Sequence, residues 1–290
     1  MHYSCDTGDA SLDNPRNQDA ISERELLVMS FGTSFNDSRR LTIGAVEQAL
    51  EEAFPAYSVR RGFTSRMIID HIKARDGVAI DSTEEALRRA ADNGVRTLVI
   101  QPTHLMNGLE YHALAEQTEA YAGAFEQMVL GEPLLTSEED FQKVIEAIIQ
   151  DTADCGDGQT AVCLMGHGTE AQSNQVYDKL QKMLWESGYA DYYVGTVEAE
   201  PSLEDVLEAV RKGSYRRIVL QPLMLVAGDH ANNDMAGSGE GSWSRAFEEA
   251  GYKVECRIKG LGELKLIQDV FIEHARTAMD RLAEKKSRVH

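Results

Sequence analysis

The stretch RIVLQPLMLVAGDHANND, residues 217–234, decides the reading of this chain because it has an earlier counterpart, TLVIQPTHLMNGLEYH, at residues 97–112. Laid over each other at an offset of 120, Ile100, Gln101 and Pro102 meet Leu220, Gln221 and Pro222, Leu105 meets Leu225, and Gly108 meets Gly228. In each copy a short apolar run of strand type stops at Gln-Pro, and a loop with one glycine leads to a side chain able to ligate a metal. Those side chains are Glu110 and His230, which the register sets opposite each other. Two half-molecules therefore carry ligand-type residues at equivalent points.

Working outward, the same alternation recurs. Residues 25–30 (ELLVMS) form a first strand, broken at Phe31-Gly32-Thr33-Ser34 before a helical pattern over 37–54. A strand over 58–63, helices over 65–75 and 81–92, the strand over 97–101, a helix over 108–125, a short strand at 128–130 and a helix over 137–149 follow. The helix over 81–92 opens with Asp-Ser-Thr-Glu-Glu, a capping signature. The polar run DTADCGDGQ, residues 151–159, reads as the clearest linker, after which the order restarts. Strands over 161–165, 192–197, 217–221 and 253–258 alternate with helices over 171–186, 202–212, 242–250 and a long final helix. Leu130-Gly131-Glu132 answers Leu261-Gly262-Glu263, and Ser30-Phe31-Gly32-Thr33 answers Gly166-His167-Gly168-Thr169.

Strands alternating with long helices imply parallel sheets covered on both faces. The expected fold is α/β, with two similar Rossmann-like halves and the active site in the cleft between them. The expected boundaries are a disordered tail over 1–24, a first half over 25–136 and a second half over 137–262, with the crossover left open: the final helix, 263–285, on the first half, or the helices over 137–149 and 262–284 each on the opposite half. Open α/β sheets place ligands beyond the carboxyl ends of their strands, where Glu110, His167 and His230 all fall.

Composition narrows the function. With 29 basic against 48 acidic residues the formal charge is −19, which repels nucleic acid and anionic lipid at long range. Cys5, Cys155, Cys163 and Cys256 form no C-x-x-C pair, so neither a zinc knuckle nor a disulfide framework is indicated, and a reduced cytoplasm fits. The first 24 residues lack the apolar run of a secretory signal, and no later run approaches membrane-spanning length. A homo-oligomer stays open.

His167 stands between Gly166 and Gly168, which lets the backbone turn sharply and leaves the imidazole exposed at a strand end. Taken alone it reads equally as a surface histidine in a glycine turn. His230 has the same ambiguity, and Asp229 or Asp234 could orient its other ring nitrogen. Two imidazoles and one carboxylate suit divalent Co, Ni, Fe or Zn and leave coordination positions open, so the metal is handled rather than stored. His104 reads as packed or supporting, His112 points away from Glu110, and His2, His71, His274 and His290 read as surface. The glycine-rich loop over 237–242 lacks a lysine, which argues against a phosphate cradle, and Met165-Gly166-His167-Gly168-Thr169 lacks the arginine of a histidine phosphatase. Arg39, Arg40, Arg60, Arg61, Arg66 and Lys73 form a basic cluster in an acidic chain, suited either to solvation or to substrate carboxylates.

Residues 28–34 (VMSFGTS), 63–69 (FTSRMII), 165–168 (MGHG) and above all 222–235 (PLMLVAGDHANNDM) resemble the anaerobic cobalt chelatases of the class II chelatase superfamily, from about Leu26 to the final helix. The resemblance implies insertion of divalent cobalt into sirohydrochlorin with release of two protons, in anaerobic cobalamin biosynthesis, without nucleotide or redox cofactor. It implies His167, His230 and Glu110 as metal ligands; for the departing protons, His167 is the expected base and Glu110 the expected outward relay. Phe31, Thr33, Ser34, Arg60, Arg61 and Arg66 are the expected substrate contacts, the arginines meeting the carboxylates of the macrocycle. Ferrochelatase or nickel chelatase activity on a related ring, and a non-catalytic tetrapyrrole or metal carrier, are the alternatives.

Overall fold

The computed structural model describes residues 7–19 and 21–288. Among these, two four-stranded parallel sheets form in separate compact units, Met1–Thr136 with Gln268–His290, and Ser137–Ile267. The first unit holds β1 (Arg24–Ser30), β2 (Ser58–Phe63), β3 (Thr97–Pro102) and β4 (Gln127–Leu130) in the order β2-β1-β3-β4. The second holds β5 (Thr160–Gly166), β6 (Tyr192–Thr196), β7 (Arg217–Pro222) and β8 (Lys253–Cys256) in the same order, β6-β5-β7-β8.

The two registers correspond residue by residue. Met29 lies opposite Gly62 on one side and Pro102 on the other, as Met165 lies opposite Gly195 and Pro222. Central strands β1 and β5 are buried on both faces, which is why ELLVMS and AVCLMG read as continuous apolar runs.

Helices α1 (Asn36–Leu41), α2 (Ile43–Ala53), α3 (Arg66–Asp76), α4 (Thr83–Asp92), α5 (Leu109–Glu119) and most of α10 (Lys265–Arg288) belong to the first unit. Helices α6 (Glu138–Asp151), α7 (Gln175–Glu186), α8 (Leu203–Arg211) and α9 (Trp243–Glu249) belong to the second. Ala86, Leu87 and Ala90 of α4 pack on Leu27, Met29, Leu98 and Ile100, while Val206, Val210, Trp243 and Phe247 pack on Ala161, Cys163 and Met165. Full burial of each large apolar side chain contributes about 1.5–3 kcal/mol. Ser82, Ser137 and Ser202 cap α4, α6 and α8 through reciprocal capping boxes, each satisfying backbone donors that the helix itself leaves unpaired. In the first unit His274 and Arg281 of α10 contact Glu132.

Several local expectations change. The helix expected over 37–54 divides at Thr42, whose hydroxyl donates back to the Ser38 carbonyl at 2.5 Å. The helix expected to 125 stops at Glu119, before a 3-10 turn at Ala122–Ala124. The expected linker over 151–159 is instead tied into the second unit. Asp151 accepts from Gln221 and Lys259, Asp154 pairs with Arg257, and Cys155 is buried.

The expectation of a disordered tail fails over its described part. Asp13 pairs with both Arg39 and Arg61 at 2.6 Å, and Asn17 donates to the Ala79 carbonyl. The Arg16 carbonyl accepts from the Arg61 amide, and its side chain reaches Glu47 and Glu51. Turn-type composition concealed this because the segment is held by charge pairing, not by apolar burial. Residues 1–6, with His2 and Cys5, and His290 lie outside the described residues. No described helix is long and apolar enough to cross a membrane.

Candidate metal centre

In the order β6-β5-β7-β8, chain connections leave β5 in opposite directions, so the carboxyl ends of β5 and β7 form the switch point at which such sheets bind ligands. His167 follows the last residue of β5, and His230 lies eight residues past the end of β7. Two glycines shape the first turn. A Cβ on Gly166 would meet the Tyr177 ring at 2.2 Å, and one on Gly168, at φ +88°, would meet Thr196 at 2.8 Å. The backbone is thereby drawn against α7 and the end of β6, and the imidazole projects outward with 47% of its side chain exposed.

The end of β6 is stitched to the same turn. The amides of Val197 and Glu198 donate to the His167 carbonyl at 3.2 and 2.9 Å. Glu198 is thus placed by the backbone beside His167, its Oε2 lying 3.7 Å from His167 Nδ1. His230 precedes a π-helical turn, Ala231–Met235, whose Ala231 and Met235 are buried in the core of the unit. That wide turn sets Asp234 where its carboxylate accepts from His230 Nδ1 at 2.7 Å. Asp229, the other candidate for that role, instead accepts from Asn233.

The two imidazoles approach edge to face, with centroids 4.7 Å apart and an interplanar angle of 84°. Ligating atoms of His167, Glu198 and His230 all lie within 4.8 Å of one another. His167 Nδ1 lies 2.9 Å from the Gly168 carbonyl and His230 Nδ1 faces Asp234, both acceptors, so each Nδ1 carries the proton. Each Nε2 is left with a free lone pair, the form that coordinates a cation. The chemistry of the set is two neutral nitrogens and one carboxylate oxygen, open on the solvent side.

Of the residues expected at the site, His167 and His230 come together here. Glu110 is exposed in the first turn of α5, in the first unit, and the carboxylate the second unit itself supplies to the histidine pair is Glu198. Glu198 was not singled out from the sequence, where it stands in Gly195-Thr196-Val197-Glu198-Ala199-Glu200 without a motif of its own. The usable signal was an acidic residue just past the end of β6, the second strand of that half, at the same edge.

The substrate contacts need correction. Arg60 and Arg61 are fully buried. Arg60 pairs with Asp81 at 2.9 Å and Glu25 at 3.5 Å, and burial pushes the Glu25 carboxyl up to about 7 against the pull of Arg60. Arg61 donates twice to Glu47 at 2.7 Å and also to Asp13. Burial draws the Arg61 guanidinium toward neutrality, but the Glu47 and Asp13 carboxylates outweigh it and raise its pKa. These arginines are spent on interior ion pairs and cannot meet a ligand. Thr33 is also buried, its hydroxyl accepting from the Phe35 amide. Phe31, Ser34 and Arg66 remain accessible. His104 is buried without a hydrogen-bond partner for either ring nitrogen, and burial pushes it down to about 4, as a neutral packed imidazole.

Paired imidazoles with a carboxylate at the switch point of a duplicated parallel α/β fold define a protein of the chelatase class, in which a metal is held loosely enough to be passed on. Comparison with known proteins makes this particular. The family model described as Cobalt chelatase (CbiK) matches residues 24–280, and the chain belongs to that family. It is 34% identical over 262 residues to a sirohydrochlorin cobaltochelatase of Salmonella typhimurium, covering 90% of this chain and 98% of that one. It is 26% identical over 276 residues to the sirohydrochlorin cobaltochelatase CbiKC of Nitratidesulfovibrio vulgaris, covering 94% and 97%. Among solved structures, SirB from Bacillus subtilis with Fe3+ matches with a TM-score of 0.62 at 13% identity, over 92% of this chain and 98% of that chain. CbiX, described as the terminal enzyme for siroheme biosynthesis in denitrifying bacteria, matches with a TM-score of 0.53 at 16% identity, over 88% and 99%. At these identities the structural matches speak for the fold alone.

Proposed function

We propose that the protein is a sirohydrochlorin cobaltochelatase that receives divalent cobalt on His167 Nε2, His230 Nε2 and the Glu198 carboxylate and transfers it into the macrocycle. The convergence of those three side chains within 4.8 Å carries the reading. Asp234 and the Gly168 carbonyl hold each imidazole in the tautomer that presents a lone pair outward. Three protein ligands leave the remaining coordination positions to water and then to pyrrole nitrogens, which displace the protein ligands in turn. Four nitrogen–metal bonds form, two at nitrogens that donate an existing lone pair and two at nitrogens whose N–H bonds break, and two protons leave. Neutral imidazole released from the metal accepts one, and the exposed carboxylate of Glu110 accepts and passes on the other.

Ring carboxylates are met by Arg66, whose own partners, Asp70 at 3.8 Å and Glu85 at 3.2 Å, are exposed ion pairs that exchange readily. Nitrogen and oxygen ligands do not by themselves prefer cobalt to nickel, copper or zinc, so the choice of cobalt rests on the family and its relatives. The test follows visible absorption of sirohydrochlorin with purified protein and, separately, cobalt, iron, nickel or zinc. Catalysed insertion with cobalt, lost by at least about a thousandfold in His230→Ala, is expected. Stoichiometric ring binding without repeated product formation would replace the reading by a carrier.

A further inference from the structure

The turns that carry His167 and Glu198 leave different strands, β5 and β6, and their backbones meet where the Val197 and Glu198 amides donate to the Gly166 and His167 carbonyls. The first unit repeats that stitch, with the Thr64 and Ser65 amides donating to the Ser30 and Phe31 carbonyls, so the stitch belongs to the fold. In the second unit a side chain ties the two turns as well. Asn174 Oδ1 accepts from the amide of Thr169, two residues past His167, at 2.9 Å. Its Nδ2 donates to the carbonyl of Glu200, two residues past Glu198, at 2.6 Å. An acceptor facing an amide and a donor facing a carbonyl fix which way the side chain points. Asn174 stands at the N-cap of α7, where asparagine ordinarily accepts from its own helix, and it makes no such bond. A residue that forgoes its local partner for two on separate turns is expected where function, not helix stability, sets the choice.

From these contacts we infer that Asn174 is a positioning residue that holds the His167 and Glu198 turns at the spacing a divalent cation needs, an inference that rests on the cobaltochelatase reading and adds a residue outside its ligand set. A ligand constellation must be held to within about 0.5 Å of its working geometry. The His167 and Glu198 side chains are 47 and 55% exposed, so packing does not hold them and their placement falls to the backbone of the two turns. Each turn is closed within itself. The Thr169 hydroxyl accepts from the Ala171 amide at 3.2 Å. The Thr196 hydroxyl donates to the Ala199 carbonyl at 2.5 Å, and the Thr196 amide to the Pro201 carbonyl at 2.7 Å. Two closed turns move as bodies, and a bridge between them removes the motion of one ligand relative to the other. Asn174 is itself rooted beside α7, whose Tyr177, Leu180 and Leu184 are buried. The side chain is specific for the task. Aspartate would keep the acceptor for Thr169 but set a negative charge against the Glu200 carbonyl, and alanine would keep neither bond.

The experiment uses the full chain and the variants Asn174→Ala, Asn174→Asp, Glu198→Gln and Asn174→Ala/Glu198→Gln. Cobalt alone is titrated by calorimetry, the visible spectrum of each cobalt-saturated protein reads its ligand set, and thermal melts check folding. Asn174→Ala should raise the cobalt Kd about tenfold, the lower end of what loss of a partner beyond the ligands brings, and should move the spectrum toward that of Glu198→Gln. Asn174→Asp should do the same while keeping its bond to Thr169, which secures the test should the alanine variant melt early. In the Glu198→Gln background, Asn174→Ala should cost no more than about threefold, because the ligand it places is already gone. A rise in Kd of less than about threefold in both single variants, a wild-type spectrum, or losses that simply multiply in the double variant overturns the tie. Cobalt binding is read without the macrocycle, so a wild type that binds cobalt but never inserts it overturns the chelatase reading and still scores Asn174. A wild type that binds no cobalt overturns both.

Discussion

At the carboxyl edge of the second sheet, the positions two past Met165, three past Gly195 and eight past Pro222 hold His167, Glu198 and His230; at the matching positions of the first sheet, counted from Met29, Gly62 and Pro102, stand Phe31, Ser65 and Glu110. A shared strand order and shared pairing thus present two imidazoles and a carboxylate on one edge and, at the matching points of the other, a phenyl ring, a buried hydroxyl and a carboxylate. The sheets diverge inside as well. Tyr193 and Val194 of β6 contribute apolar packing at the two positions where β2 carries Arg60 and Arg61, with their buried carboxylate partners. Sheet topology dictates where a functional edge lies, and side chains at that edge dictate what it does.

The comparison is broken most severely at the buried arginines. Arg61→Ala leaves Glu47 and Asp13 without their shared cation and should lower unfolding free energy in urea by about 3–5 kcal/mol. Sirohydrochlorin affinity measured on the folded fraction should not change. Normal stability with weakened ring binding would instead return Arg61 to the substrate surface.

The two carboxylates separate next. Glu198→Gln should weaken cobalt binding by at least the ten- to hundredfold, about 1.4–2.8 kcal/mol, that removal of a mere supporting partner brings. Glu110→Gln should keep cobalt affinity within about twofold while lowering kcat roughly a hundredfold, as loss of a proton acceptor does. Calorimetry with cobalt and steady-state kinetics read the two effects apart, and a large loss of cobalt affinity in Glu110→Gln would make that residue a ligand.

The smallest effect concerns His104, two past Pro102, where the second unit has the partly buried Met224 two past Pro222. Burial holds the His104 imidazole neutral down to about 4, against an ordinary 6.5 in the unfolded chain. The unfolded state therefore binds the extra proton first. This contribution to stability is complete above about pH 6.5 and is lost as pH falls toward 4, about 1 kcal/mol of it between 6.5 and 5.5. His104→Met, which gives the first unit the second unit's residue, should flatten that part of the stability profile in urea titrations at each pH. An unaltered acid slope would mean that other groups set it.

Much of the fold was legible because its determinants are local. β-branched and apolar runs ending in Gln-Pro mark β3 and β7, and Ser-Thr-Glu-Glu marks the start of α4. The site was half legible. Glycines on both sides of His167 signal a turn too tight for a side chain, and Tyr177 and Thr196 are the atoms that make it so. The roles of Arg60 and Arg61 were not legible. A charged residue in a strand is ordinarily read as exposed, and only partners distant in sequence, Asp13, Glu25, Glu47 and Asp81, turn these two inward.

By itself the sequence determined the duplication, the parallel α/β class and the placing of His167 and His230 beyond strand ends, since periodicity and strand-ending Gln-Pro and glycine signals are properties of short stretches. Tertiary structure alone decided that Glu198 joins the histidines, that Asp234 rather than Asp229 orients His230, and that residues 7–19 clasp the first unit. Each of those outcomes depends on which strand ends and charges meet after folding, and electrostatic and coordination energies act over a few ångströms in space irrespective of separation along the chain.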